Sequence, residues 1–173
     1  MEKLYTKILH TPVREEDEVR PITTVKDLIV DPENGAVVGV VVNLNAKLIV
    51  APHDILSFGD TIFVHGREVI VPAEDVLRVD NVLKKGVKIF HNKVVTESGK
   101  ELGIVADFSI DTKSLIMQKI FVAKSVFGLV HYDQRIIPAK NIVEVKADKI
   151  IVKDDLATVK EKEKVRVEDL AVS

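Results

Sequence analysis

Val25-Lys-Asp-Leu-Ile-Val-Asp-Pro-Glu-Asn-Gly-Ala-Val-Val-Gly-Val-Val-Val42 returns, at a constant offset of 80 residues, as Val105-Ala-Asp-Phe-Ser-Ile-Asp-Thr-Lys-Ser-Leu-Ile-Met-Gln-Lys-Ile-Phe-Val122. Each stretch is an apolar run, an acidic turn and a second apolar run, which reads as a strand-turn-strand unit used twice. Strand parity sets Leu28 and Val30 on one face, with Asp27, Ile29 and Asp31 on the other; in the second copy Phe108 and Ile110 oppose Asp107, Ser109 and Asp111. Leu28, Val30, Phe108 and Ile110 are therefore expected in the core. Asp31-Pro-Glu-Asn-Gly35 is a strong turn signal, and Asp111-Thr-Lys-Ser114 is its weaker counterpart. Residues 36–42 carry no polar side chain, as in a strand covered on both faces. Gln118 and Lys119 interrupt the same run in the second copy, which predicts a more exposed strand.

The duplication extends outward on both sides. Lys7-Ile-Leu-His-Thr-Pro-Val13 is echoed by Lys88-Ile-Phe-His-Asn-Lys-Val94, an offset of 81. The polar turn that follows carries Ser98-Gly99, a hairpin signal, only in the second copy; the first has Pro21 just beyond, so this edge is expected to differ between copies. Downstream, Val50-Ala-Pro-His-Asp-Ile55 and Ile136-Ile-Pro-Ala-Lys-Asn-Ile142 each place a Pro at a strand end before a short turn and a final hairpin. The offset between these prolines, Pro52 and Pro138, has grown to 86, which points to a longer loop around Ser125-Val-Phe-Gly128.

Val71-Pro-Ala-Glu-Asp75 also echoes Ile137-Pro-Ala-Lys-Asn141. However, Pro72, Glu74 and Asp75 early, Lys84 and Lys85 late, and Gly86 after them punctuate a helix with a Val76, Val79, Leu83 stripe, expected to pack between the copies. The organisation read from the sequence is a first repeat over 1–70, a connecting helix over 71–86, a second repeat over 87–155 and a charged tail over 156–173. In the tail, Lys160-Glu-Lys-Glu-Lys164 precedes Val165, Val167 and Leu170, compatible with a helix, an added strand or a mobile end. Repeats this small bury only about 60% of their unfolded surface and are marginal alone, so the two copies should pack on each other.

Val95-Thr-Glu-Ser-Gly-Lys-Glu-Leu-Gly-Ile-Val-Ala-Asp107, Ile110-Asp111, Ile136-Ile-Pro138 and Lys149-Ile-Ile-Val152 together resemble the PRC-barrel family. The first copy resembles it through Val25–Gly35, Val50–Ile55 and Gly59-Asp-Thr-Ile-Phe-Val64, but lacks the glycine pair seen as Gly99 and Gly103. The resemblance covers residues 5–153 and implies small closed β-barrels, so the expected fold is all-β: two small PRC-like β-barrels from an internal duplication, joined by a short helix. Relatives include the cytoplasmic part of a photosynthetic reaction-centre subunit and a domain of a ribosome maturation factor that binds a ribosomal protein. The family consists mostly of adaptor or docking modules and supplies no catalytic residues.

Composition narrows the function classes. The chain has 173 residues, no Cys, 25 basic and 27 acidic residues, and a net charge of −2. Thiolate metal sites are excluded, and nothing resembles the basic footprint of a phosphate-backbone binder, so no direct nucleic-acid contact is expected. No uncharged apolar run of membrane-spanning length occurs, and the start of the chain lacks a signal-peptide core; a cytoplasmic protein without membrane insertion is expected. The carboxylate pairs Asp27/Asp31 and Asp107/Asp111 are each about 13 Å apart along a strand, too far to share an ion, and read as solvated strand-face and turn acids. The five histidines lack metal-ligand spacing; His10 and His91 occupy equivalent places and read as strand-end residues. No nucleophile elbow or phosphate loop is present.

The expectation is therefore a non-catalytic adaptor without cofactor or metal, docking an as yet unidentified protein partner through a cleft between the copies and through Phe121, Phe127 and Tyr132 beside the longer loop. Two other readings are an accessory factor in RNA processing or ribosome assembly, and a peripheral subunit of a membrane complex.

Overall fold

The computed structural model describes the backbone of residues 1–126 and 129–155, and their side chains except those of 125–134. The expectations for the tail over 156–173 and for Phe127 therefore lie outside the described residues, as does the side chain of Tyr132. In chain order, β1 (Glu2–Leu4) leads into one turn of helix, α1 (Tyr5–Ile8). Then come β2 (Pro12–Glu15), β3 (Thr23–Thr24), β4 (Asp27–Val30), β5 (Val37–Asn43), β6 (Leu48–Val50), β7 (Ile55–Phe58), β8 (Ile62–Val64) and β9 (Ile70–Pro72). After α2 (Leu77–Lys84) follow β10 (Lys93–Thr96), β11 (Glu101–Asp111), β12 (Ile116–Val126), β13 (Leu129–Pro138), β14 (Ile142–Val145) and β15 (Ile150–Val152).

The duplication is visible strand for strand. The quoted stretches form the hairpins β4–β5 and β11–β12, each extended by an antiparallel third strand, β6 or β13. Each copy then joins its first strand to its last in parallel: β2 to β8 with Val13 opposite Ile62, and β10 to β15 with Val94 opposite Ile150. His10 and His91 sit at matching corners with φ of 68° and 64°, and their backbone N–H groups donate to the carbonyls of Val25 and Val105. The expected strand-end role of both histidines is met.

The copies differ where the turn chemistry differs. In copy two, the Ser98-Gly99 turn feeds an unbroken β11, and one sheet runs β13-β12-β11-β10-β15-β14 with β1 added on β11. In copy one, with Pro21 in place of that hairpin, the corresponding stretch is broken into β3 and β4, and two four-stranded sheets result. The expected closed barrel is corrected: among the described residues no ladder joins the outer strands β13 and β14, so the barrel of copy two stays open along that seam. The extra residues expected in a loop near 125–128 instead lengthen both strands of the β12–β13 hairpin.

Leu28, Val30, Phe108 and Ile110 are buried, as strand parity predicts, in a single apolar core that runs through both copies. Removing a Val, Leu, Ile or Phe side chain from water contributes roughly 1.5–3 kcal/mol, so one shared core stabilises two units that would each be marginal alone. The tips of the two central hairpins meet. Ala36 bridges Ile116, the Val37 N–H donates to the Leu115 carbonyl, and the Met117 N–H donates to the Gly35 carbonyl, both at 2.8 Å. Exchanging the copies turns one of these bonds into the other, so a pseudo-two-fold axis passes between the hairpin tips.

The connecting helix departs from the sequence reading. It occupies Leu77–Lys84 rather than 71–86, because Ile70–Pro72 ladders onto β6 and Ala73–Asp75 forms a 3-10 turn. Pro72 and Pro138 share one conformation, φ −58° with ψ 140° and 143°, each opening such a turn. The local echo between them is thus real. Val79 and Val82 are buried while Leu83 is 43% exposed, so the buried stripe continues through Val82 instead. Rather than lying between the copies, α2 covers the outer face of β4–β6, packing with Ile29, Val38, Val41 and Ile49 in a second core. This cover explains why the first copy's strand is apolar on both faces.

Candidate functional site

At the junction of the copies, α1, β4, the end of α2 and the segment leading to β10 enclose a cleft of about 430 Å³. Its wall is aromatic. Tyr5 stacks on Phe108 at 4.6 Å between ring centroids and tilts against Phe90 at 5.0 Å, and Phe90 stacks on His91 at 3.9 Å. Leu28, Val30 and Ile89 form the apolar floor, and Leu83, Gly86 and Lys88 stand exposed at the rim.

One acceptor serves this wall. Asp27 takes the Tyr5 hydroxyl at 2.7 Å and the Leu28 N–H at 2.7 Å. Burial, followed by the bond to Asp27, drives the Tyr5 phenol far above its ordinary value, so Tyr5 remains a neutral donor at physiological pH. The repeat mate of Asp27, Asp107, accepts from the Thr6 hydroxyl at 2.5 Å and the Thr6 N–H at 3.2 Å. These contacts correct the reading of Asp27 as a solvated strand-face acid, since its bonds are partly buried, whereas Asp107 keeps a surface position with a local partner from α1. Asp31 is a turn acid, bonded to the Glu33 N–H at 3.0 Å, but at 7% exposure it is buried and not solvated. Asp111 keeps its turn role through the Ser114 N–H.

The cleft exists because the symmetry is broken. Extending the register of Lys7–Val13 on Lys88–Val94 by two residues pairs Tyr5 with Gly86, and the hairpin register pairs Phe108 with Leu28. Tyr5 lays a ring over Phe108; Gly86 has no side chain to lay over Leu28. The space beside Leu28 stays open on one side of the pseudo-axis while the other side is filled. Sequence reading overlooked Tyr5, which lies two residues before the quoted echo, and Phe90, which stands inside that echo as the mate of Leu9 and was read only as part of the repeat. The available signal was a pair of repeat mates of very unequal size.

Of the docking residues read from the sequence, Phe121 lies on the outer face of β12, half-buried, opposite Asp107 on β11 and Ile136 on β13. It does not line the cleft. Among the described residues, no group of three His, Asp or Glu side chains could hold a metal ion, and no helix is long and apolar enough to cross a membrane.

The PRC-barrel domain model matches the chain twice, over residues 1–90 and again over 85–159. The chain belongs to the PRC-barrel family. Its two PRC-barrel domains correspond to the two halves related by the pseudo-axis, and the cleft lies where the domains meet. No curated protein matches the chain. As PRC-barrel domains generally serve as binding modules, the tandem pair has the character of an interaction module.

Proposed function

We propose that this protein is a non-catalytic cytoplasmic adaptor whose two repeats, 1–70 and 87–155, act as one body and dock a protein partner in the inter-copy cleft. The observation that carries this reading is the inter-copy cleft, backed by the buried rings of Tyr5 and Phe108, with the half-buried Phe90 and the exposed Leu83 towards its mouth. Such a cleft takes an apolar side chain of a partner, with Tyr and Phe supplying contact area at low cost in conformational entropy. Asp27 adds one acceptor for a donor on that partner. The acidic balance of the chain favours a protein over a nucleic-acid backbone.

The test is affinity purification of the tagged full chain from its own cells, with and without nuclease, beside Leu83→Asp. That change puts a charge on the rim at an exposed position and leaves the core intact. The reading expects a nuclease-resistant protein complex recovered with the wild type and lost with Leu83→Asp. Equal recovery by both proteins refutes the cleft as the docking site. Ribosomal proteins lost on nuclease treatment would replace the reading with the RNA-linked one, and recovery only with membranes would replace it with the peripheral-subunit one.

A further inference from the structure

The hairpin β11–β12 carries an added strand that its twin β4–β5 lacks. β1 lies antiparallel on the outer edge of β11, with Leu4 opposite Ser109, Lys3 opposite Ile110 and Glu2 opposite Asp111. By the offset of 81, the mates of Glu2, Lys3 and Leu4 are Leu83, Lys84 and Lys85, which finish α2 as helix and form no ladder. The mates of Ser109, Ile110 and Asp111 are Ile29, Val30 and Asp31. They therefore lie along an edge of β4 that has no ladder partner among the described residues.

That edge presents backbone groups to an open space. The Asp31 N–H donates to the Ala36 carbonyl across the hairpin at 2.8 Å, so by strand alternation the N–H and C=O of Val30 face away from β5. Ile29 and Val30 line the inter-copy cleft. Beside them a second hollow, of about 380 Å³, lies between Pro32, Lys85, Val87 and the β14 residues Val143 and Val145. An unpaired edge next to such a hollow is a template for strand addition.

β1 also shows the chemistry of an occupant. Its central residue, Lys3, reaches across to the β7–β8 turn, donating to the Gly59 carbonyl at 2.8 Å and to the Asp60 carboxylate at 2.6 Å. The offset of 88 that sets Ile62 of β8 on Ile150 of β15 puts Asp148 in the place of Asp60, in a turn one residue longer. Asp148 is exposed and has no ion-pair partner among the described residues.

We propose that the β4 edge over Ile29–Asp31 receives an extended segment of the protein partner as an added antiparallel strand. A Lys or Arg of that segment sits opposite Val30 and pairs with Asp148, and the apolar residue after it sits opposite Ile29, towards the Leu83 rim. This rests on the reading of the cleft as the docking site and names what enters there: a basic-then-apolar strand, in the manner of Lys3-Leu4 on β11.

The test titrates the isotope-labelled full chain with an amidated synthetic peptide of β1, Met-Glu-Lys-Leu, and follows backbone amides by NMR. Before peptide is added, the Val30 amide should exchange with solvent about tenfold or more faster than that of its ladder-paired mate, Ile110. Titration should give saturable shifts at Ile29–Asp31. Asp148→Lys, a change at an exposed position, should abolish them, and the peptide Met-Glu-Glu-Leu should restore them in that variant. No shift at Val30, shifts indifferent to Asp148→Lys, or shifts confined to Ser109–Asp111, where the peptide merely exchanges with β1, overturn the proposal. A Val30 shift that grows with protein concentration in the absence of peptide assigns the edge to a second copy and also overturns it. Affinity purification separates the two readings. A complex lost with Leu83→Asp but kept with Asp148→Lys leaves the cleft reading standing and overturns this one, whereas a complex kept with Leu83→Asp fails the cleft reading whatever the peptide does.

Discussion

Gly103→Ala tests the reasoning about how copy two stays continuous. Gly103 lies on β11 opposite Val94, at φ +134°, with the backbone of β12 directly against it. A Cβ there would stand 2.2 Å from the Ala123 carbonyl oxygen and 2.8 Å from its carbon. Neither atom belongs to a side chain that can turn away, so relief requires β11 and β12 to part. The positive φ costs an alanine about 1–2 kcal/mol. Overpacking adds about 1–3 kcal/mol, and each ladder hydrogen bond lost on parting adds about 1 kcal/mol. The expected loss is about 4 kcal/mol, a large part of the 5–15 kcal/mol typical of a folded domain. Gly99→Ala is the control: φ is +87°, but no atom lies within 4 Å of its Cβ, so only the conformational cost of about 1 kcal/mol remains. In urea, with a slope of about 2 kcal/mol per molar, Gly103→Ala should lower the midpoint by about 2 M and Gly99→Ala by about 0.5 M. Equal midpoint shifts for the two variants would refute the argument that strand contact, and not turn conformation, fixes glycine at position 103.

Phe108→Ala removes a ring that is 2% exposed and stacked on Tyr5; a loss of about 3–5 kcal/mol in chemical denaturation is expected, and a loss under 1 kcal/mol would contradict the shared core. Tyr5→Phe deletes a hydrogen bond to a carboxylate and should cost about 1.5–3 kcal/mol at neutral pH. Folding raises the Tyr5 phenol above its ordinary 10.0, so the unfolded chain loses that proton first and wild-type stability should fall as pH rises past about 10. This slope should be missing in Tyr5→Phe when midpoints are compared across alkaline pH. Val79→Asp places a charge in the second core, where Val79 is fully buried; it should detach α2 and speed amide hydrogen exchange in β4–β6, with β10 and β15 unaffected.

The architecture was legible because strand parity acts residue by residue. Leu28, Val30, Phe108 and Ile110 needed only their own alternation to be placed in the core, and Pro21 against Ser98-Gly99 was enough to foresee that this edge would differ between the copies. The helix was harder. Its acidic and basic punctuation marks its ends, but a 3-10 turn at Ala73–Asp75 resets the phase, and the buried stripe passes through Val82 in place of Leu83. Asp27 looked solvated because its partner, Tyr5, comes from a one-turn helix with no periodicity of its own. The cleft was illegible for a related reason: it is built from repeat mates facing each other across an axis, and it opens only where Tyr5 has Gly86 for its mate.

The bonds from Val37 to Leu115 and from Met117 to Gly35 are those that a symmetric homodimer would make across its interface. A true dimer held by such contacts melts at a temperature that depends on its concentration, and it comes apart when dilute. Here both halves are in one chain, so their association is unimolecular and persists however few molecules a cell contains. Fusion also frees each half from its twin: a substitution such as glycine at position 86 alters one side of the axis alone, whereas in a homodimer it would be imposed on both. Covalent linkage thus let a symmetric scaffold acquire one asymmetric hollow.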